Sequence, residues 1–208
     1  MTDKQWNDLV ALTKGQYNGP ILSGFIIDCP WLPNWYGIKI LDYFSNDELW
    51  LKANFKAIET FPDAIFLPGF WSEYGMCTEP SEFGAICKFW EDEFPFAEKI
   101  IHNIEDIDKL EVPNPATDGL LPFMLNRLNH AQPQIEAAVH KIRFSVSRGP
   151  LNIASFLMGT TEFLTAMMLD PERVHRLLRI ITDFLKQWHK IQHQAFPTID
   201  GMLMLDDI

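Results

Sequence analysis

The chain has 208 residues, a formal net charge of -11, 47% apolar residues and 13% aromatic residues. That apolar fraction excludes a disordered chain, and the acidic excess argues against nucleic acid or an anionic lipid surface as a partner. Cys29, Cys77 and Cys87 are too few and too scattered for a disulfide framework or a CxxC zinc site, the polar start Thr2-Asp3-Lys4-Gln5 is not a signal peptide, and no apolar run approaches the ~18 residues of a membrane span, so reduced thiols in a cytoplasmic protein are expected.

Residues 3 to 14 carry Trp6, Leu9, Val10 and Leu12 at helical spacing, and Gly15 and Gly19-Pro20 end that helix. The apolar run Ile21 to Ile27 predicts a buried strand that stops at Asp28-Cys29-Pro30. Ser45-Asn46-Asp47-Glu48 has the form of a capping box with Ser45 as N-cap, opening a helix to about Thr60. Asp63 to Pro68 predicts a second strand. Residues 69 to 116 are rich in aromatic, Pro and acidic residues, and 84–90 with 96–101 predict a β-hairpin around Glu91 to Pro95. A helical turn is expected over 104–110 and a helix over 118–139. Lys141 to Ser147 predicts a third strand, ended by Arg148-Gly149-Pro150, and an apolar helix follows over Leu151 to Leu169.

Asp170-Pro171 suits an N-cap followed by the first helical position. Val174, Leu177, Leu178, Ile181, Leu185, Trp188 and Ile191 then hold a 3.6-residue period to about Gln194. Asp200 to Ile208 predicts a fourth buried strand. Strands alternating with helices imply an α/β fold with a parallel sheet and right-handed crossovers. The turn after the first strand is Asp28-Cys29-Pro30-Trp31, with neither GxGxxG nor GxxxxGK[ST], so a barrel is a better expectation than a doubly wound sheet. A (β/α)₈ barrel needs eight strands, and this chain supplies the first four: one domain over 1–208, with an insertion at about 69–116.

Several segments carry a resemblance. Arg148 to Gly159 resembles the GP-x-T-LAS-x-x-x-G segment of the uroporphyrinogen decarboxylase superfamily, and Asp170 to Val174 its D-P-E-x-V helix start. Asp200 to Asp207 is similar to its D-G-I-x-x-x-D-D strand, Trp31-Leu32-Pro33-Asn34 to its Y-L-P-E, and Thr78 to Gly84 to the E-A-E-x-F-G segment of its methyltransferase-like branch. The resemblance implies the N-terminal half of a (β/α)₈ barrel and one of two activities: decarboxylation of uroporphyrinogen without a cofactor, or zinc-dependent methyl transfer involving a corrinoid. The decarboxylases carry two arginines after the first strand, which align with Ile26 and Pro30, and an Asp after the second, which aligns with Gly69. Charge-assisted Arg pairs are the strong contacts to a polycarboxylate, and Ile26 cannot replace them. The methyltransferase branch is therefore the nearer resemblance, with zinc ligands expected outside this segment and a corrinoid protein as partner. Catalysis is expected of a full-length form rather than of these residues alone. A porphyrinogen decarboxylase, or a non-catalytic half-barrel that self-associates, is the alternative.

Strand ends supply the candidate substrate contacts, because chemistry in α/β barrels gathers there. Asp28 and Cys29 end the first strand, as mouth contacts or as turn residues before Pro30. Arg148 is read as a clamp for an anionic group or as a salt-bridge partner, and Asn152 as a contact or a helix cap. Asp206 and Asp207 are read as ligand contacts or as caps of a following helix. His189 and His193 share a helix face four residues apart, but without the Glu of HExxH they read as cations near a helix C-terminus.

Overall fold

The computed structural model describes residues 1–207, so Ile208, the last residue of the expected fourth strand, lies outside the described residues. Helix α1 (Asp3–Thr13) opens with a capping box in which Thr2 and Gln5 satisfy each other's backbone. Strand β1 (Ser23–Ile26) pairs in parallel with β2 (Ala64–Leu67), Phe25 opposite Phe66. Helices α2 (Trp31–Tyr36), α3 (Ile40–Ser45) and α4 (Asp47–Thr60) connect them. The first two are absent from the sequence expectation. Because α3 runs through Ser45, whose hydroxyl donates to Leu41, the N-cap of α4 is Asn46 and not Ser45: the Asn46 side chain accepts from Glu48 and Leu49.

The expected hairpin arms shrink to an antiparallel pair of two residues each, β3 (Cys87–Lys88) and β4 (Phe96–Ala97). Helix α5 (Leu121–Ala137) sits between two cores. Its Leu128, Ala131 and Ile135 pack with Trp50, Tyr43 and Phe70, while Leu121 and Met124 pack with the C-terminal helices. Arg127, buried between them, donates to Asp47, Ser72 and the Phe44 carbonyl, and lies over the rings of Trp50 and Tyr74.

Strand β5 (Phe144–Arg148) pairs in parallel with β6 (Gly201–Leu205), Val146 opposite Leu203. The single helix expected over Leu151 to Leu169 is two, α6 (Pro150–Met158) and α7 (Thr160–Leu169), broken at Gly159 with φ +100. Helix α8 (Pro171–Ala195) is capped by Asp170 and buries Val174, Leu177, Ile181, Phe184, Leu185 and Trp188. The expected period holds over its whole length.

One continuous four-stranded sheet is corrected to two parallel pairs; no ladder joins β2 to β5 among the described residues. The edge of β5 that would meet β2 is occupied by α8. Gln192 accepts from the Val146 N–H and donates to the Val146 C=O, and the Trp188 indole donates to the same carbonyl. Buried backbone groups need partners, and here side chains supply them. Met1 fills part of the remaining gap: its amino group and carbonyl both bond Lys141, and its nitrogen lies 3.4 Å from where a Cβ on Gly69 would stand.

The expectation that the first and fourth strands are buried is also corrected. All four residues of β1 are exposed, and β6 alternates half-buried with exposed residues such as Met202 and Met204. Among the described residues each has a strand neighbour on one edge, and Phe25, Ile26, Met202 and Met204 remain in the open. The fold is nonetheless α/β with parallel strands, helices packed outside them, and a partial barrel-like arrangement.

Candidate active site at the carboxyl ends of the strands

Arg148 is the last residue of β5, and two glutamates hold it. Its backbone N–H donates to Glu79 Oε1 at 2.8 Å, and Nη1 meets Glu79 Oε2 at 3.1 Å. Nη2 lies 3.8 Å from Glu73 Oε2. The Arg148 side chain is 12% exposed, and the glutamate side chains are 1% and 2% exposed. Such a desolvated cluster stands only because each charge has a partner.

Glu73 ties the first two strand ends together. Its Oε1 accepts from the Cys29 N–H at 3.1 Å, while Oε2 has no hydrogen-bond partner among the described residues. Burial raises the Glu73 carboxyl to about 7, against the pull of Arg148 and with the help of Asp28. Burial also raises Asp28, again opposed by Arg148. Cys29 is pushed up by burial, then by Glu73 and Asp28, which favours the thiol form.

The other strand end is built around Asn152 in the first turn of α6. Asp206 Oδ1 accepts from the Asn152 N–H at 2.9 Å, and the Asn152 amide donates to the Leu205 carbonyl and to Asp207. Asp206 therefore caps the helix that follows β5. It comes so close that a Cβ on Gly149 would stand 2.2 Å from its Cγ, which restricts that turn to glycine.

The structure thus brings Asp28, Cys29 and Arg148 into one cluster, and Asn152, Asp206 and Asp207 into a second on the adjoining strand ends. Sequence reading missed Glu73 and Glu79 as partners of Arg148. Glu79 stood within the segment that carries the family resemblance; Glu73 sits in an aromatic stretch where nothing marks it. His189 is corrected from a helix-terminal cation to a buried residue between two hydroxyls, Nδ1 at 2.9 Å from Ser145 and Nε2 at 3.0 Å from Ser147. Burial lowers its pKa, which favours the neutral ring. Among the described residues, no group of three His, Cys, Asp or Glu side chains is disposed to hold a metal ion.

The family model for uroporphyrinogen decarboxylase (URO-D) matches residues 35–197. Uroporphyrinogen decarboxylases of Hydrogenovibrio crunogenus and Vibrio cholerae are 26% and 27% identical, over 79% and 76% of this chain. The chain spans about half the length of these curated relatives, 48% and 46%. A methyltransferase from Methanosarcina mazei has a similar fold, with a TM-score of 0.70 at 18% identity, over 96% of this chain and 58% of that one. No helix among the described residues is long and apolar enough to cross a membrane. With the family model matched from α2 through α8, and with parallel strands whose carboxyl ends gather the polar residues, the chain belongs to the uroporphyrinogen decarboxylase (URO-D) family.

Proposed function

We propose that these strand ends form part of the site of a methyltransferase, moving a one-carbon group to or from a corrinoid carrier. The observation that carries this reading is the engagement of Arg148 by Glu73 and Glu79. A polycarboxylate substrate needs unclaimed guanidinium groups. Here the one arginine of the cluster is already neutralised, and Asp28, Asp206 and Asp207 add carboxyl groups beside it. A substrate bearing many carboxylates is repelled from such a mouth, whereas a neutral or cationic methyl donor is not. The fold likeness to a methyltransferase supports the same reading. Among the described residues no zinc site is assembled, and no step is assigned to a metal. This chain's own groups would orient the donor through Asp28 and exclude water through the Glu73, Glu79 and Arg148 wall.

Sequence similarity to uroporphyrinogen decarboxylases favours a second reading, decarboxylation of a porphyrinogen. One experiment separates the two. The full-length form is incubated with uroporphyrinogen III in one arm, and with methylcobalamin and a small thiol in the other. Loss of the methyl–cobalt absorbance above the uncatalysed rate, with no coproporphyrinogen, is the expected result. Coproporphyrinogen formation would overturn the methyltransferase reading, as would an unchanged methylcobalamin spectrum.

A further inference from the structure

Helix α7 lies on the surface without a polar outer face. Of its ten residues only Phe163 and Ala166 are buried, packed with the core of α6 and α8. Leu164 is 51% exposed, Met168 83% and Leu169 79%, and Met167 is exposed beside them. Thr161, Leu164, Thr165 and Met168 follow one another at i, i+3, i+4 and i+7, so they line one outward stripe. The Thr165 hydroxyl is satisfied by the Thr161 carbonyl. The one charge of the helix, Glu162, is neutralised by Lys99 at 3.1 Å. A solvated helix ordinarily turns charged residues outward, and a contiguous apolar stripe marks a contact surface. At its C-terminal end the stripe adjoins the first turns of α8, where Asp108, Asp170, Glu172, Arg173, Arg176 and Arg179 line one open depression. Arg173 is held by Asp108 and Asp170, whereas Glu172, Arg176 and Arg179 make no ion pair among the described residues.

We propose that a second copy of this chain docks on α7, the two copies of the helix crossing at their C-terminal ends about a two-fold axis, with Met168 and Leu169 against their counterparts. The inference is independent of the reaction performed at the strand ends. Charge selects the occupant. The chain carries a net charge of -11, so two copies repel each other across most of their surface. In a two-fold contact the same patch meets itself, and an uncharged stripe brings no like charges together when it does so. Methionine side chains are unbranched and polarisable, and adapt to such self-packing. A ten-residue helix is about 15 Å long and about 10 Å across. That is too small alone for the roughly 800 Å² that each partner buries in a stable interface. The depression at the start of α8 extends the patch and is self-complementary in another way: it offers unpaired groups of both signs, so that Glu172 of one copy can answer Arg176 or Arg179 of the other.

The test is the mass of the full-length form in solution, by sedimentation velocity over a range of concentrations. Twice the monomer mass is expected. Met168→Lys should return the monomer mass, because it sets two cations against each other beside the axis, whereas Met168→Leu should keep the dimer. Leu169→Lys, at the neighbouring exposed position, should also give the monomer, which guards against a folding defect peculiar to the first variant. Met202→Lys, on the exposed face of β6, should leave the dimer intact. A monomer at every concentration would overturn the proposal and leave the stripe to a different partner. A dimer that survives both lysine variants on α7 would overturn it as well, and so would a dimer lost in Met202→Lys, which would move the contact to the strand edge.

Discussion

Gln192 offers both ends of its amide to one residue of β5: Oε1 accepts from the Val146 N–H at 2.9 Å, and Nε2 donates to the Val146 C=O at 3.0 Å. A helix side chain thereby stands where a neighbouring strand would otherwise bond. The arrangement satisfies the strand edge that faces away from β6, and it accounts for the absence of a ladder between β2 and β5.

Gln192→Ala should leave the buried Val146 N–H without a partner, while the carbonyl keeps the Trp188 indole at 3.1 Å. An orphaned buried donor costs about 1–3 kcal/mol. Urea denaturation should show a lower midpoint with an unchanged slope. A midpoint equal to the wild type would mean that the amide contributes nothing at this edge.

Arg148→Met should be more severe, because it leaves Glu73 and Glu79 buried without their cation. Breaking a buried ion pair from one side costs about 3–5 kcal/mol. The loss should be smaller at pH 5 than at pH 8, since protonation relieves the stranded carboxylates. Adding Glu79→Gln to Arg148→Met should recover part of the stability, a non-additivity expected of residues in contact. Chemical denaturation of the two single variants and the double variant tests this.

Glu73 should make stability pH-dependent in a specific direction. Its carboxyl stands at about 7 in the folded protein against an ordinary value of 4.5, so the folded state holds the proton more tightly. The contribution is complete below about pH 4.5 and is lost as pH rises through 7. His140, lowered to about 4 by burial, has the opposite slope across part of the same range. The comparison must therefore be between wild type and Glu73→Gln. The stability of the wild type relative to the variant should fall between pH 5 and 8 by on the order of 3 kcal/mol. A pH-independent difference would show that Glu73 titrates normally.

Asp206→Ala should remove the carboxylate that accepts from the first turn of α6. Loss of a cap of this kind costs about 1 kcal/mol, and Asp206→Asn should retain most of it. Hydrogen exchange at the Asn152 amide should speed up in the alanine variant and stay near the wild-type rate in the asparagine variant. Equal exchange in all three would remove Asp206 from the role of cap.

Much of the fold was legible because its signals are local. Asp170 and Pro171 and the apolar period of α8 each act within one or two helical turns, so chain order alone reveals them. Helices α2 and α3 were not legible, since Trp31–Tyr36 and Ile40–Ser45 are too short for a period to show. Gly159 was part of an apolar run whose break depends on a positive φ. The candidate site was half legible: Asp28, Cys29, Arg148, Asn152, Asp206 and Asp207 stand at strand ends, where position in the chain implies position in the mouth. Glu73 and Glu79 become partners of Arg148 only when the segment after β2 folds across the end of β5.

By itself, then, the sequence determined the alternation of the main strands and helices, the Asp170 cap of α8, and the family resemblance, because each is written in the spacing of neighbouring residues. The tertiary structure decided which charges meet. Arg148 is an anion clamp or a neutralised wall residue according to whether Glu73 and Glu79 reach it, and His189 is a cation or a neutral core residue according to whether Ser145 and Ser147 enclose it. Those outcomes depend on desolvation and on contacts between residues 42 to 75 positions apart, and a charge has no fixed energy until its surroundings are known.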